Sequence, residues 1–232
     1  MKKVLTQLLV RSLPTPFVHK LMQKQGENYQ SFKKMFLSSE PELIELLQEK
    51  YLLYSFQLNS SRIPHYKKFL KENKIDPALI KTKEDFLRLV PETNKKNYVY
   101  KAKELVQMCI DGDHHNVSMV VKSSGHSGRQ CYWAKSHQED SFGKNALSIV
   151  LDENFQVNEK KTLIINGFIL GSWVTGINFF EFASWHCPII NVGPDKDEIL
   201  QTLKDIGKNY EQILIAGYPP FIKNLVDYFN EL

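Results

Sequence analysis

The chain has 232 residues, 42% hydrophobic and 24% charged, enough to bury a substantial core as one large or two small domains. Its net charge of +4 is uneven, with 20 Lys+Arg against 11 Asp+Glu in residues 1 to 110 and 10 against 15 beyond; the lysines are spread along helical segments, which speaks for a solvated face rather than a nucleic-acid interface. Cys109, Cys131 and Cys187 are odd in number and far apart, which sets aside a disulfide scaffold and fits a reducing, cytoplasmic setting.

At the start, Lys2 and Lys3 precede an apolar stretch as in a secretory leader. Thr6 and Gln7 interrupt that stretch, Arg11 ends it, and no small-residue cleavage site follows. Val4, Leu5, Leu8 and Leu9 recur instead with the spacing of a short amphipathic helix. Further on, Ser39 and Glu42 have the spacing of a capping box, with Pro41 in the first turn of a helix bearing Leu43, Leu46 and Leu47. Thr82 and Asp85 open another helix with Phe86, Leu87 and Leu89 on its apolar side. Residues 1 to 110 therefore read as a mainly helical segment whose stripes serve packing.

His114 and His115, with Asp111 and Asp113 beside them, are metal-ligand types. Adjacent side chains on an extended segment point to opposite faces, and no second cluster has metal-ligand spacing. A polar turn is expected there, and no metal site.

Residues 111 to 232 read as an α/β part. Val117 to Val121 and Cys131 to Ala134 are rich in β-branched and aromatic residues, as paired strands are. Between them runs Lys122-Ser123-Ser124-Gly125-His126-Ser127-Gly128-Arg129-Gln130. Gly125 and Gly128 permit positive φ, so successive N–H groups can converge, while the hydroxyls and the two cations add donors and charge. Such a loop suits a phosphate, although it has neither the Walker A spacing nor G-x-G-x-x-G. A plain hairpin tip uses the same residue types.

Leu163 to Ile165 reads as a strand, Trp173 to Trp185 as a helix and Ile189 to Val192 as a strand. Asp195 and Glu198 then cap a helix with Ile199, Leu200 and Leu203, and Ile213 to Ala216 forms a last strand. Thr162 to Phe180 is uncharged over a membrane-spanning length. Asn166, Gly167, Gly171, Ser172, Thr175, Gly176 and Asn178 break it into strand, turn and buried helix, so no membrane span is expected. Alternation at this spacing implies parallel pairing. The expected fold is α/β, a helical N-terminal segment packed on a Rossmann-like, mostly parallel sheet.

Ligands of such sheets sit beyond the carboxyl ends of strands. Asn166-Gly167-Phe168, Asn191-Val192-Gly193 and Gly217-Tyr218-Pro219 lie at those ends, and each is equally an ordinary strand-to-helix turn. Trp173 and Tyr218 could stack on an aromatic acid. Cys187 directly follows His186, and no Ser-His-Asp or Cys-His order stands out, so no catalytic residue is assigned.

Ser123 to Arg129 resembles the S-S-G-T-T-G-K/R loop of adenylate-forming (AMP-binding) enzymes, with His126 and Ser127 where that family usually has threonines. Asn59 to Tyr66, Ile75-Asp76-Pro77, Leu89 to Lys95, Gly171-Ser172-Trp173 and Gly217 to Pro220 resemble, in order, short elements of the phenylacetate-CoA ligase-like and capsule-biosynthesis-type branch. The resemblance spans roughly residues 40 to 232. It implies an incomplete N-terminal domain of a ligase that uses ATP and Mg2+ to turn a carboxylic acid into an acyl-adenylate and pyrophosphate, with CoA or another acceptor later. In that reading Lys122, Ser123, Ser124, Gly125, His126, Ser127, Gly128 and Arg129 hold the ATP phosphates. Trp173, Gly217, Tyr218 and Pro219 line the acid pocket. The family's aromatic-Gly-x-Thr-Glu segment, ribose aspartate, hinge and C-terminal lysine domain have no counterpart here, so the expectation is a truncated chain: either the N-terminal part of something larger, with a separate chain as one source of the missing part, or a stand-alone remnant. The rival expectation, from His126 and the missing segments, is a non-catalytic protein-interaction module derived from such a ligase.

Overall fold

A computed structural model of the chain describes residues 8–123 and 129–232, leaving aside the side chains of residues 137–139 and 141–142. The chain forms two compact units, Met1–Ser118 and Met119–Leu232.

The first unit is helical. After a helical stretch over residues 8–12 come α1 (Thr15–Gly26), α2 (Tyr29–Ser38), α3 (Pro41–Arg62), α4 (Pro64–Glu72) and α5 (Lys83–Leu89). The Ser39–Glu42 capping box does not form. Glu40 occupies the N-cap of α3 with no side-chain cap bond, and Ser39 closes α2 in an extended conformation. Pro41 at the first helical position has no N–H to satisfy and a φ already suited to a helix, so the start is defined without a box. At α5 the box is complete: Asp85 N donates to Thr82 Oγ1 at 3.1 Å, and Thr82 N donates to Asp85 Oδ2 at 3.1 Å.

Leu53, Phe56, Phe69, Leu70 and Ile80 form this unit's core, with Phe86, Leu89 and Tyr98 packed on it. Phe56 meets Phe86 edge-on at 5.6 Å, and Phe69 meets Tyr98 likewise at 5.4 Å, the geometry aromatic quadrupoles favour. Leu87, expected from sequence on the same stripe, is 67% exposed. It follows Phe86 by one residue, about 100° round the helix, and so turns away from the core. Buried His65 is satisfied by its Nε2 contact with Tyr98 O at 2.9 Å.

The polar turn expected at His114–His115 forms: Val117 N donates to His114 O, and His115 N to Asp113 Oδ1. Because the backbone turns there, the two rings stack, with centroids 5.5 Å apart, instead of pointing to opposite faces as on an extended segment.

The second unit opens with an antiparallel hairpin of β1 (Met119–Lys122) and β2 (Tyr132–Lys135), in which Met119 faces Lys135 and Lys122 faces Tyr132. Then follow α6 (His137–Phe155), β3 (Thr162–Asn166), α7 (Val174–Ala183), β4 (Ile189–Asn191), α8 (Lys196–Ile206), β5 (Gln212–Ala216) and α9 (Pro219–Asn230). The last three strands form a parallel sheet in the order β4-β3-β5. Period-two alternation divides its central strand between two cores. Ile164 packs with Leu151 of α6 and Ala183 of α7, whereas Leu163 and Ile165 pack with Ile199 of α8 and Leu225 of α9. Burial on both faces accounts for the unbroken apolar run of β3. Among the described residues no helix is long and apolar enough to cross a membrane.

Candidate functional site

All the predicted site residues lie in the second unit. The first unit has a shallow cleft of about 330 Å3 lined by Ser60, Lys67, Leu70, Lys71, Ile75, Asp76 and Pro77, none of them predicted as site residues.

Lys122 ends β1 and is held twice. Its N–H donates to Ser172 O at 2.9 Å, and it bridges in parallel to Trp173 just ahead of α7. Its ammonium lies 4.9 Å from the Trp173 ring centroid, within the range of a cation–π contact. The next residue closes the base of the hairpin loop: Ser123 N donates to Cys131 O at 2.9 Å, and Cys131 N to Ser123 Oγ at 3.1 Å. Ser124, Gly125, His126, Ser127 and Gly128 lie outside the described residues, and Arg129 just past them is exposed. Thus Lys122 and Trp173, expected in separate roles, are in contact.

The carboxyl end of the parallel sheet is tied together by Asn166, which is fully buried. Its Nδ2 donates to Gly176 O at 3.1 Å and to Asn191 Oδ1 at 2.8 Å, and its Oδ1 accepts from Phe168 N at 3.2 Å. Its backbone carbonyl also accepts from Val192 N and Gly193 N, while Gly167 N donates to Ala216 O at 2.7 Å. One side chain therefore joins the end of β3 to β4 and to α7. The sequence marks Asn166 only as candidate lining, although a lone amide side chain closing an apolar run is the signal of a buried hub.

Gly217, Tyr218 and Pro219 follow β5. Tyr218 is the N-cap of α9, 65% exposed, and Pro219 takes the first helical position. A Cβ on Gly217 would come within 2.9 Å of Ile222 Cδ1, and one on Gly167 within 3.1 Å of Phe221 and 3.2 Å of Ala216 O. At Gly167 a ring and a backbone carbonyl close in, whereas at Gly217 the neighbours are side-chain atoms of Ile222 and Phe221.

Ser148 contacts His186 Nε2, but it is fully buried in α6, where its hydroxyl is also 2.6 Å from Lys144 O. Burial pushes the neighbouring Cys187 thiol up, away from thiolate reactivity. Among the described residues no group of three His, Cys, Asp or Glu side chains could hold a metal.

No protein-family model and no curated protein matches the chain. A solved structure of 2-hydroxyisobutyryl-CoA ligase, in an open conformation in complex with 2-HIB-AMP and CoA, is similar to it, with a TM-score of 0.61 and 15% identity. The likeness covers 78% of this chain and 41% of that ligase, so the chain spans less than half the length of the protein it matches. What the two share at this identity is the fold.

Proposed function

We propose that this chain is the N-terminal, ATP-phosphate-binding part of an adenylate-forming acid ligase of the phenylacetate-CoA ligase-like kind. The observation that carries the reading is the fold shared with a ligase whose structure contains 2-HIB-AMP and CoA. The contact of Lys122 with Trp173 at the base of the serine-glycine loop supports it.

In the proposed reaction a carboxylate oxygen attacks the α-phosphorus of ATP, the bond to the bridging oxygen breaks, and acyl-AMP and pyrophosphate form. Donors at Ser123, Ser124, Gly125, His126, Ser127 and Gly128 hold the leaving phosphates, while Lys122 and Arg129 offset the charge that builds there. Mg2+ bound with the nucleotide would add to the same neutralisation. Trp173, Gly217, Tyr218 and Pro219 form the acid pocket, and CoA or another acceptor takes the acyl group later. The reaction also draws on groups outside these 232 residues, whether on a longer polypeptide or on a separate cytoplasmic chain, so these residues alone bind nucleotide without robust turnover.

Calorimetry with Mg-ATP on the wild-type chain and on Gly128→Trp tests this. Saturable heat in the wild type that the variant lacks supports the reading. No heat in either protein favours the non-catalytic interaction module, to which His126 in place of a threonine points. Robust pyrophosphate exchange by the purified chain on a panel of aryl and acyl acids contradicts the dependence on outside groups.

A further inference from the structure

Lys135, at the end of β2 farther from the loop, sits in a cluster that neither the loop nor the strand ends account for. Its Nζ is 2.6 Å from Asp140 Oδ1 of α6, 2.7 Å from Asn178 Oδ1 and 3.5 Å from Glu181 Oε2 of α7. It also lies 5.4 Å from the Phe182 ring centroid. The Lys135 and Asp140 side chains are 13% and 9% exposed. Three acceptors from two helices therefore surround one ammonium.

As a source of stability the arrangement is poor. Among the described residues none donates a hydrogen bond to the buried Asp140 Oδ2, and a buried ion pair with an orphaned oxygen does no better than apolar side chains of similar volume. Its particular effect is directional, since an ammonium held from several sides sets the place of the strand that bears it. The hairpin thereby meets the α7 region at two points. Lys122, beside the loop, rests on Ser172 and Trp173, and Lys135, at the opposite end of the partner strand, rests on Asn178 and Glu181.

We propose that Lys135 is a positioning residue: gripped by Asp140, Asn178 and Glu181, it holds the β1–β2 hairpin, whose strands flank the loop proposed to bind phosphate, in a set place along α7. This role rests on the function proposed above, and its test is built to fail separately from that reading.

The test is the double variant Lys135→Met with Asp140→Leu, which replaces the pair by apolar side chains. Its melting midpoint is expected to equal or exceed that of the wild type, while the amides of residues 119–122 and 132–135 exchange about tenfold faster and Mg-ATP binds about tenfold more weakly. A merely structural pair would leave hairpin exchange no faster than the wild type's, and that result overturns the proposal. Should the double variant not fold, Asn178→Ala removes one α7 acceptor and leaves the ion pair intact; faster hairpin exchange and weaker Mg-ATP binding are again expected, and unchanged exchange again overturns the proposal. A wild-type chain that ignores Mg-ATP sinks the ligase reading, whereas the exchange rates still decide whether Lys135 holds the hairpin.

Discussion

Lys122 lies over the face of Trp173, with Nζ 4.9 Å from the ring centroid, and the two residues also pair through their backbones. The backbone bond does not need the lysine side chain. Lys122→Met should therefore keep the hairpin's hydrogen-exchange protection and lose about 0.5–1 kcal/mol of cation–π stabilisation at most. In the proposed function it should also weaken Mg-ATP binding, because the charge offered to the phosphates is gone. Comparing melting midpoint with calorimetric affinity separates the two effects. A variant whose affinity matches the wild type's removes Lys122 from the phosphate site.

The turn from β3 into α7 predicts a contrast between two glycines. Gly176 lies within α7, and a Cβ there would come 2.3 Å from Ile169 O, closer than backbone can tolerate. Gly171 has φ +85° and nothing within 4 Å of an added Cβ. Gly176→Ala must move the 169–171 backbone and should cost about 2–3 kcal/mol as overpacking. Gly171→Ala meets only the left-handed backbone penalty of about 1 kcal/mol. Urea denaturation of the two variants gives the order, and the opposite order would refute the close approach.

Periodicity makes the parallel sheet readable. Leu163, Ile164 and Ile165, then Ile189 and Ile190, then Ile213, Leu214 and Ile215 are short apolar runs parted by helical spacing, and each falls in a strand. The Asp195 and Thr82 caps are readable because a short acceptor three residues ahead of a free N–H is a local event; Asp195 Oδ1 accepts from Glu198 N at 3.0 Å. The helix α6 is not legible because its opening, His137 to Asp140, is polar and its buried positions include Asp140, Asn145 and Ser148 beside Ile149 and Leu151, leaving no clean apolar stripe. The Ser39 box fails because Pro41 already defines the start of α3. The site is less readable, since the Lys122–Trp173, Lys135–Asn178 and Ser148–His186 contacts join residues about 40 or more apart in sequence, and no spacing rule connects them.

Asn166 should be among the least replaceable residues of the second unit. Asn166→Leu keeps the volume roughly constant but removes the bond to Gly176 O in the interior, together with those to half-buried Phe168 N and to exposed Asn191 Oδ1, which water can replace. One unpaired buried group costs about 1–3 kcal/mol, and a loss in that range is expected. Asn166→Asp places a carboxylate oxygen against two carbonyl oxygens, and burial favours its neutral form. Its folded pKa is then raised, so the charged form is penalised above the ordinary carboxylate range. The deficit of the Asp variant should shrink on acidification, while that of the Leu variant should not. Chemical denaturation at pH 5 and pH 8 distinguishes the two.

His186 gives the second unit a pH dependence of known sign. Burial first, and the Lys144 cation second, lower its pKa from the ordinary 6.5, with Asp152 acting weakly the other way. The folded state therefore holds the imidazole neutral where the unfolded chain would already take up a proton. The stability associated with neutral His186 is complete above pH 6.5 and is lost as pH falls from there through the lowered folded value. Trp133, Trp173 and Trp185 all follow Ser118, so tryptophan fluorescence during urea unfolding reports on this unit alone. The midpoint is expected to fall between pH 7 and pH 5, and His186→Gln, which does not titrate, should flatten that slope. The first unit's His19, also lowered by burial, carries no tryptophan signal and does not blur the comparison. An unchanged slope in the variant would show that His186 takes up its proton in the folded chain as readily as in the unfolded one.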